Sequence, residues 1–360
     1  MIKIILFAVI AILSVAQTGS TGAEIKVMPV VFAHPDEMVK GEGFIVLADR
    51  REFAVFAFIN AAGFDEEAPG KEMTPVRIKV RQMTAANLAK SPEKLEAWRK
   101  YYQDKRLASF QYEDYALSLS ADYPFKRIRP DSELQYRRTV VLLDDFPTVL
   151  NDFWKNAQLE EVWNEVKPDY LAEIHKYSFE KMKRQLSFLW EYLRIKRNDN
   201  YIIVHAPNPL DARYNSIGAR YENYYYSVES TGASAYDLNV HEYLHSIVNP
   251  LVKTNYEAYR DKLDAYFQAG KTGPLSKSYQ NLEGFTAECM VRALDYRLRA
   301  KLDGREAFAK RVESQIAEMS IEGLTLTQPF YQALTDYEQS GKAFDVSLAT
   351  IFDRLAPLSK

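Results

Sequence analysis

Changes in the period of hydrophobic positions mark the elements along this chain. Residues 25–33 and 43–48 are short apolar runs that read as strands. From Asp49 the period becomes helical, and residues 51–59 are apolar almost all round, which predicts a central helix ended by Gly63. Helical patterns recur at 76–87, 91–105, 132–143 and 148–156, with 108–130 irregular between them. Ser91-Pro92-Glu93 supplies a cap residue followed by a first-turn proline. A longer helical stretch, 159–195, contains Pro168, expected to break it or to start its second part. The character then changes. The β-branched run 201–204 predicts a strand, 206–209 a Pro/Asn loop, and tyrosine-rich 219–229 another strand. Gly232 and Ser234 mark a loop, and 237–248 reads as a helix that Pro250 closes or kinks. Residues 281–351 are mostly helical. The pattern is that of an α+β protein, predominantly helical, with one small sheet. It divides as a mainly helical N-terminal lobe (24–195) and a C-terminal lobe (196–360), or as one continuous domain over 24–360.

The first residues follow a different logic. Lys3 precedes an unbroken apolar run over 4–13, too short for a membrane span, and Ser14-Val15-Ala16 is a small-x-small pattern. This predicts a signal peptide, 1–16, cleaved within 16–22, and an exported product, periplasmic or extracellular. No later stretch is apolar enough to span a bilayer, so no stable membrane span is expected after cleavage.

Composition removes other classes. Against 46 Lys+Arg stand 49 Asp+Glu, a net charge of −3, which argues against an electrostatic nucleic-acid binder. The single cysteine, Cys289, rules out an internal disulfide and a Cys-rich metal cluster. There are 5 histidines in 360 residues, so any two at ligand spacing stand out.

Two of them do. His241, Glu242 and His245 form H-E-x-x-H within DLNVHEYLHSIVNP (237–250). On a helix, residues four apart share a face, so both imidazoles can grip one Zn²⁺. Glu242 can then reach a water on the metal as general base. A catalytic zinc keeps three protein ligands and one open position. No histidine follows His245, so an acidic third ligand is sought on the helix that begins near Asn281. At about 100° per residue, Glu288 falls among Phe285, Val291 and Leu298 on the apolar arc. The runner-up, Glu283, falls with Arg297 and Lys301 in the first turn. A carboxylate on an apolar face needs a partner, either a metal or Arg292 one turn on.

H-E-x-x-H followed by a glutamate on a later helix resembles the gluzincin-type zinc metallopeptidases. More closely, HEYLHSIVNPL (241–251), Glu288-Cys289-Met290-Val291-Arg292-Ala293 and EFAVFAFINAAGFDEE (52–67) resemble an uncharacterised family of exported bacterial H-E-x-x-H proteins, a domain of unknown function. The resemblance spans most of the mature chain, though its blocks are loose outside the zinc motif. It implies a zincin-like catalytic domain that hydrolyses a peptide or protein substrate, and it favours Glu288 over Glu283. For Glu283 speaks Asn-Leu-Glu-Gly-Phe, which resembles the Asn-Glu-Gly-Phe motif of the aminopeptidase branch.

Further candidates carry less. Tyr224, Tyr225 and Tyr226 precede the zinc helix, and Tyr224 or Tyr226 is a candidate oxyanion donor. Asn249 can orient a ligand or bind substrate, and Arg292 and Asp295 can support Glu288. His205, His34, His175 and Cys289 read as structural. Two other readings remain open: a zinc-stabilised binding or scaffold protein without catalysis, and a metal-free helical protein in which Glu288 pairs with Arg292.

Overall fold

A computed structural model describes residues 34–64, 74–129, 134, 137–196, 202–211, 216–221, 224–230 and 237–358. The expected signal peptide and the strand over 25–33 lie outside these. Among the described residues, strands β1 (Met38–Gly41) and β2 (Phe44–Leu47) are followed in chain order by eight α-helices. These are α1 (Arg50–Ile59), α2 (Pro75–Leu88), α3 (Pro92–Lys105), α4 (Ser109–Ala116), α5 (Arg137–Leu142), α6 (Phe146–Asn156), α7 (Leu159–Ile174) and α8 (Phe179–Leu193). Strands β3 (Ile202–Asn208), β4 (Ser216–Tyr221) and β5 (Tyr224–Ser230) come next. Helices α9 (Val240–Asn255), α10 (Arg260–Gly270), α11 (Leu282–Asp303), α12 (Glu306–Ile321), α13 (Thr327–Ser340) and α14 (Phe344–Arg354) close the described chain. The protein is therefore α+β, mostly helical, with one small mixed sheet. No helix among the described residues is long and apolar enough to cross a membrane.

Helix α1 is central, as its all-round apolar sequence requires. Every residue from Arg51 to Ile59 is buried. Asp49 caps it, accepting from Arg51 N at 2.9 Å. Phe53 meets Trp163 at 4.9 Å, and Phe58 meets Phe146 at 5.2 Å and Phe153 at 5.3 Å between ring centroids. Burying one such ring contributes roughly 1.5–3 kcal/mol, and each aromatic pair roughly 0.5–1.5 more. The helix leads into a wider turn, Asn60–Phe64, in which Gly63 stands at φ 134, a conformation open only to glycine.

The sheet runs β1-β2-β3-β5-β4. The inner strands β2, β3 and β5 are parallel, and both edge strands are antiparallel to their neighbours. Cross-strand partners share a face. Ile203, His205, Tyr225, Ser227, Ser216, Gly218 and Arg220 therefore point to one side, and Val204, Tyr224, Tyr226 and Tyr221 to the other. On the first side Tyr225 meets Tyr243 of α9, centroids 5.1 Å apart, and Phe44 meets Phe179 of α8. On the second side Arg51 lies over the Tyr226 ring, and the Tyr221 hydroxyl donates to Asp114 Oδ1 at 2.9 Å.

Four expectations about elements need correction. Pro168 stays inside α7, because the carbonyl it leaves without a donor belongs to exposed Asn164; the break falls at 175–178, where Ser178 caps α8. Residues 206–208 continue β3 in register with β5 instead of forming a loop. The single strand expected over 219–229 is the two antiparallel strands β4 and β5. The irregular 108–130 stretch contains α4, which buries Tyr112 and Tyr115 and is capped by the Gln111 side chain on Ala108 N.

Candidate metal centre

Helix α9 begins where Asn239 accepts from Glu242 N at 3.3 Å. One side of it buries Tyr243, Leu244, Val248 and Val252. That fixes its rotation and turns His241 and His245 toward α11. Helix α11 is capped by Asn281, which accepts from Gly284 N at 2.8 Å, and buries Phe285, Glu288, Val291 and Leu298 together. The apolar arc read from the sequence is thus the packed face, and Glu288 stands in it, 5% exposed.

His241, His245 and Glu288 converge. One ligand atom from each lies within 4.8 Å of the others. The two Nε2 atoms are 3.3 Å apart, and from Glu288 Oε1 reaches to 3.7 Å of His241 Nε2 and Oε2 to 3.3 Å of His245 Nε2. Glu283 sits half-buried in the first turn of α11 and is not part of this group.

Supporting groups are in place. His245 Nδ1 donates to Asn249 Oδ1 at 3.0 Å, which leaves Nε2 as the face offered to a cation. Arg292 Nε donates to Glu288 Oε1 at 2.5 Å. Asp295 is taken by Arg299 instead, at 2.8 Å. Burial works against the Glu288 charge, but His245, His241 and Arg292 outweigh it and hold the carboxyl well below its usual range. Burial pulls His241 down, toward neutral imidazole. Burial also opposes the His245 charge, but Glu288, Glu242 and Asn249 prevail, and the metal-free imidazole is raised to about 9. Two imidazoles and a carboxylate facing one point suit a borderline cation such as Zn²⁺.

Glu242 lies off this triad and toward the sheet, where Ser216 Oγ of edge strand β4 donates to its Oε1 at 2.9 Å. Tyr225 is the tyrosine of β5 that faces α9. Burial first, and then the Glu242 charge, push its phenol up, so it remains neutral. Tyr224 and Tyr226 share the opposite face of the strand, with Tyr226 under Arg51; neither lies on the side of α9. Alternation along β5 decides this, and the sequence alone did not supply its phase.

His205 is fully buried. Its Nδ1 bonds Glu229 Oε1 at 2.8 Å, Tyr177 donates to the same oxygen at 2.6 Å, and Asn239 Nδ2 donates to Glu229 Oε2 at 3.3 Å. This network reaches Asn239, the cap of α9. His34 bonds Asp122 at 2.6 Å, and His175 ends α7. Cys289 is buried, its thiol pushed up to about 12 by burial.

Ser216 and Tyr279 are additions that the sequence did not flag. Tyr279 stands beside Glu288 and Arg292, its phenol raised by burial and then by the Glu288 charge. It precedes α11 in a segment without periodicity, and only the fold brings it to the site. Beside His245 opens a cavity of about 290 Å³ lined by Gly218, Arg220, Tyr225, Asn249 and Pro250. Comparisons of the chain with family models, curated proteins and solved structures gave no match.

Proposed function

We propose that the chain is an exported zinc-dependent peptidase with a zincin-like catalytic domain. His241, His245 and Glu288 would hold the metal. The observation that carries the reading is the convergence of these three side chains, from two helices, on one point. A Zn²⁺ bound there supplies an acidified water near neutral pH and a Lewis acid for the scissile carbonyl.

The chain's own residues supply the rest. Glu242 takes the water's proton on a carboxylate oxygen and delivers it to the leaving amine nitrogen. Ser216, bonded to Glu242 Oε1, restricts that carboxylate to one orientation. Asn249 fixes the His245 ring, and Arg292 fixes Glu288. Strand β4 is an edge of the sheet, so an extended peptide can add to it by main-chain hydrogen bonds beside α9. The cavity next to His245 favours catalysis over a closed structural metal site.

The test couples metal analysis to a peptide-library digest. Protein purified without added metal carries stoichiometric zinc. The Glu242→Gln variant keeps it and loses turnover by roughly 10²–10⁴-fold. Hydrolysis by the variant at the wild-type rate, or absence of metal, overturns the reading.

A further inference from the structure

Glu229 is buried on the face of β5 that looks toward α9. Its Oε1 accepts from the Tyr177 hydroxyl at 2.6 Å and from His205 Nδ1 at 2.8 Å, and its Oε2 accepts from Asn239 Nδ2 at 3.3 Å. A carboxylate has no proton to donate, so the group of Asn239 that meets it must be the NH₂. The other end of the same amide, Oδ1, is thereby turned to Glu242 N, from which it accepts at 3.3 Å. An asparagine amide has nearly the same shape either way round. Reversed, it would set an NH₂ against the Glu242 N–H and leave α9 without its cap. The main chain entering the helix is fixed independently: Gln185 of α8 accepts from Leu238 N at 3.0 Å, and Lys181 pairs with Asp237 at 2.5 Å. What Glu229 decides is the direction of one amide.

Glu229 also stands directly across from Ser216, its partner in the β4–β5 ladder. Ser216 Oγ donates to Glu242 Oε1 at 2.9 Å. One cross-strand pair thus holds Glu242 at both ends, the carboxylate directly and the main chain through Asn239. We infer that Glu229 is a positioning residue for Glu242: by orienting the Asn239 amide it sets the first turn of α9 and hence the place of the Glu242 carboxylate. That Glu242 acts as a base rests on the peptidase reading above. The effect is local. Farther along α9, Pro250 has no N–H for Ser246 O, and Arg220 Nη2 donates to that carbonyl at 2.8 Å. The later turns are therefore tied to β4 without Glu229.

Exchanging donor and acceptor tests the orientation. In Glu229→Gln the carboxamide can keep its oxygen on Tyr177 and His205, which puts its NH₂ against the NH₂ of Asn239. In Asn239→Asp two carboxylates meet. Together the two substitutions again set a donor on an acceptor and leave an oxygen for Glu242 N. Amide hydrogen exchange on the full chain reads the cap without any substrate. The Glu242 amide is expected to exchange about fivefold faster in either single variant and within about twofold of wild type in the double variant, while amides of residues 251–255 stay unchanged in all three. With zinc saturating, hydrolysis of a peptide found in the library digest should show kcat lowered about tenfold in each single variant, KM within about twofold, and recovery in the double variant. If Glu229→Gln alone does not fold, the double variant carries the comparison: a folded chain with a protected Glu242 amide upholds the inference, and an unfolded one ends it. It is also ended by a Glu242 amide as protected in Glu229→Gln as in wild type, by a double variant no better than the singles, by a loss of protection shared equally with residues 251–255, or by a change in KM alone. Failure of the peptidase reading is distinct: wild type then cleaves no peptide, while the exchange pattern still follows the match of donor to acceptor.

Discussion

Glu288 on α11 and the pair Glu52 and Glu113, on α1 and α4, are carboxyl groups buried to a similar degree: 5%, 1% and 0% exposed. Their pKa values are shifted in opposite directions. Around Glu288 stand Arg292 and two imidazoles, and the carboxyl is held ionised against the cost of burial. Both oxygens of Glu52 and of Glu113 lack a hydrogen-bond partner. Burial raises Glu52 first, Glu113 and Asp49 add to it, and Arg51 does not compensate. Burial likewise raises Glu113, followed by Asp211 and Glu242. Depth alone does not decide the charge on a buried acid; its partners do. The α9–α11 face favours the carboxylate form, whereas the α1–α4 face, in an aromatic core, favours the protonated acid.

The largest expected effect is on the ionised side of that comparison. Under the proposed function, Glu288→Gln removes the one anionic member of the triad and should weaken zinc binding by about 100-fold or more, with turnover lost in step. It also strips Arg292 of its carboxylate, so the metal-free variant unfolds at a lower temperature at neutral pH. The folded pKa of Glu288 is lowered, so its contribution is present above the ordinary carboxylate range and fades as pH falls through the folded value. The stability gap to wild type therefore narrows in acid. Metal titration, and thermal unfolding with chelator at several pH values, check both parts.

An intermediate effect lies at the start of α9. Asn239 accepts from Glu242 N and donates to Glu229. Asn239→Ala should cost about 1 kcal/mol, the usual worth of an N-cap. Asn239→Asp, a good cap elsewhere, should do no better, because it sets a carboxylate against Glu229 Oε2. Denaturant unfolding of both variants measures this. An aspartate variant as stable as wild type would mean that the cap alone matters and the His205–Glu229 network does not.

The difference between the two acid environments was only half legible in the sequence. His241, Glu242 and His245 declare themselves through spacing, and Glu288 through its place on an apolar arc, because local periodicity dictates which face of a helix packs. Glu52 also interrupts an apolar helix, and no wheel separates it from Glu288. What distinguishes them is which side chains arrive from other elements. Arg292 lies one turn from Glu288 and could be read. Glu113, Tyr279, Ser216 and Arg220 are brought by tertiary packing, and sequence distance hides them. The hairpin of β4 and β5 was hidden for a related reason. Tyrosines populate both of its faces, so no alternation of apolar and polar residues marked the strand phase.

The smallest effect tests the neutral side. A protonated carboxyl and a carboxamide are close in shape and charge, so Glu52→Gln or Glu113→Gln should change stability by no more than about 1 kcal/mol in mild acid. The sign then follows from proton linkage. A folded pKa raised above the unfolded value, about 4.3, means that the folded chain keeps a proton the unfolded chain releases. Stability from such a group is fully present below the unfolded value and is lost as pH rises toward the folded one. Gln cannot titrate, so each variant should gain on wild type as pH climbs from 5 to 8. For Glu288→Gln the gap to wild type is flat over that range and narrows only as pH falls below the unfolded value, so the series extends into acid. Thermal midpoints of the three variants over one pH series give the contrast directly. A flat response of the Glu52 and Glu113 variants from pH 5 to 8, like that of Glu288→Gln, would mean that those acids are ionised through partners of their own and that the two faces treat buried acids alike.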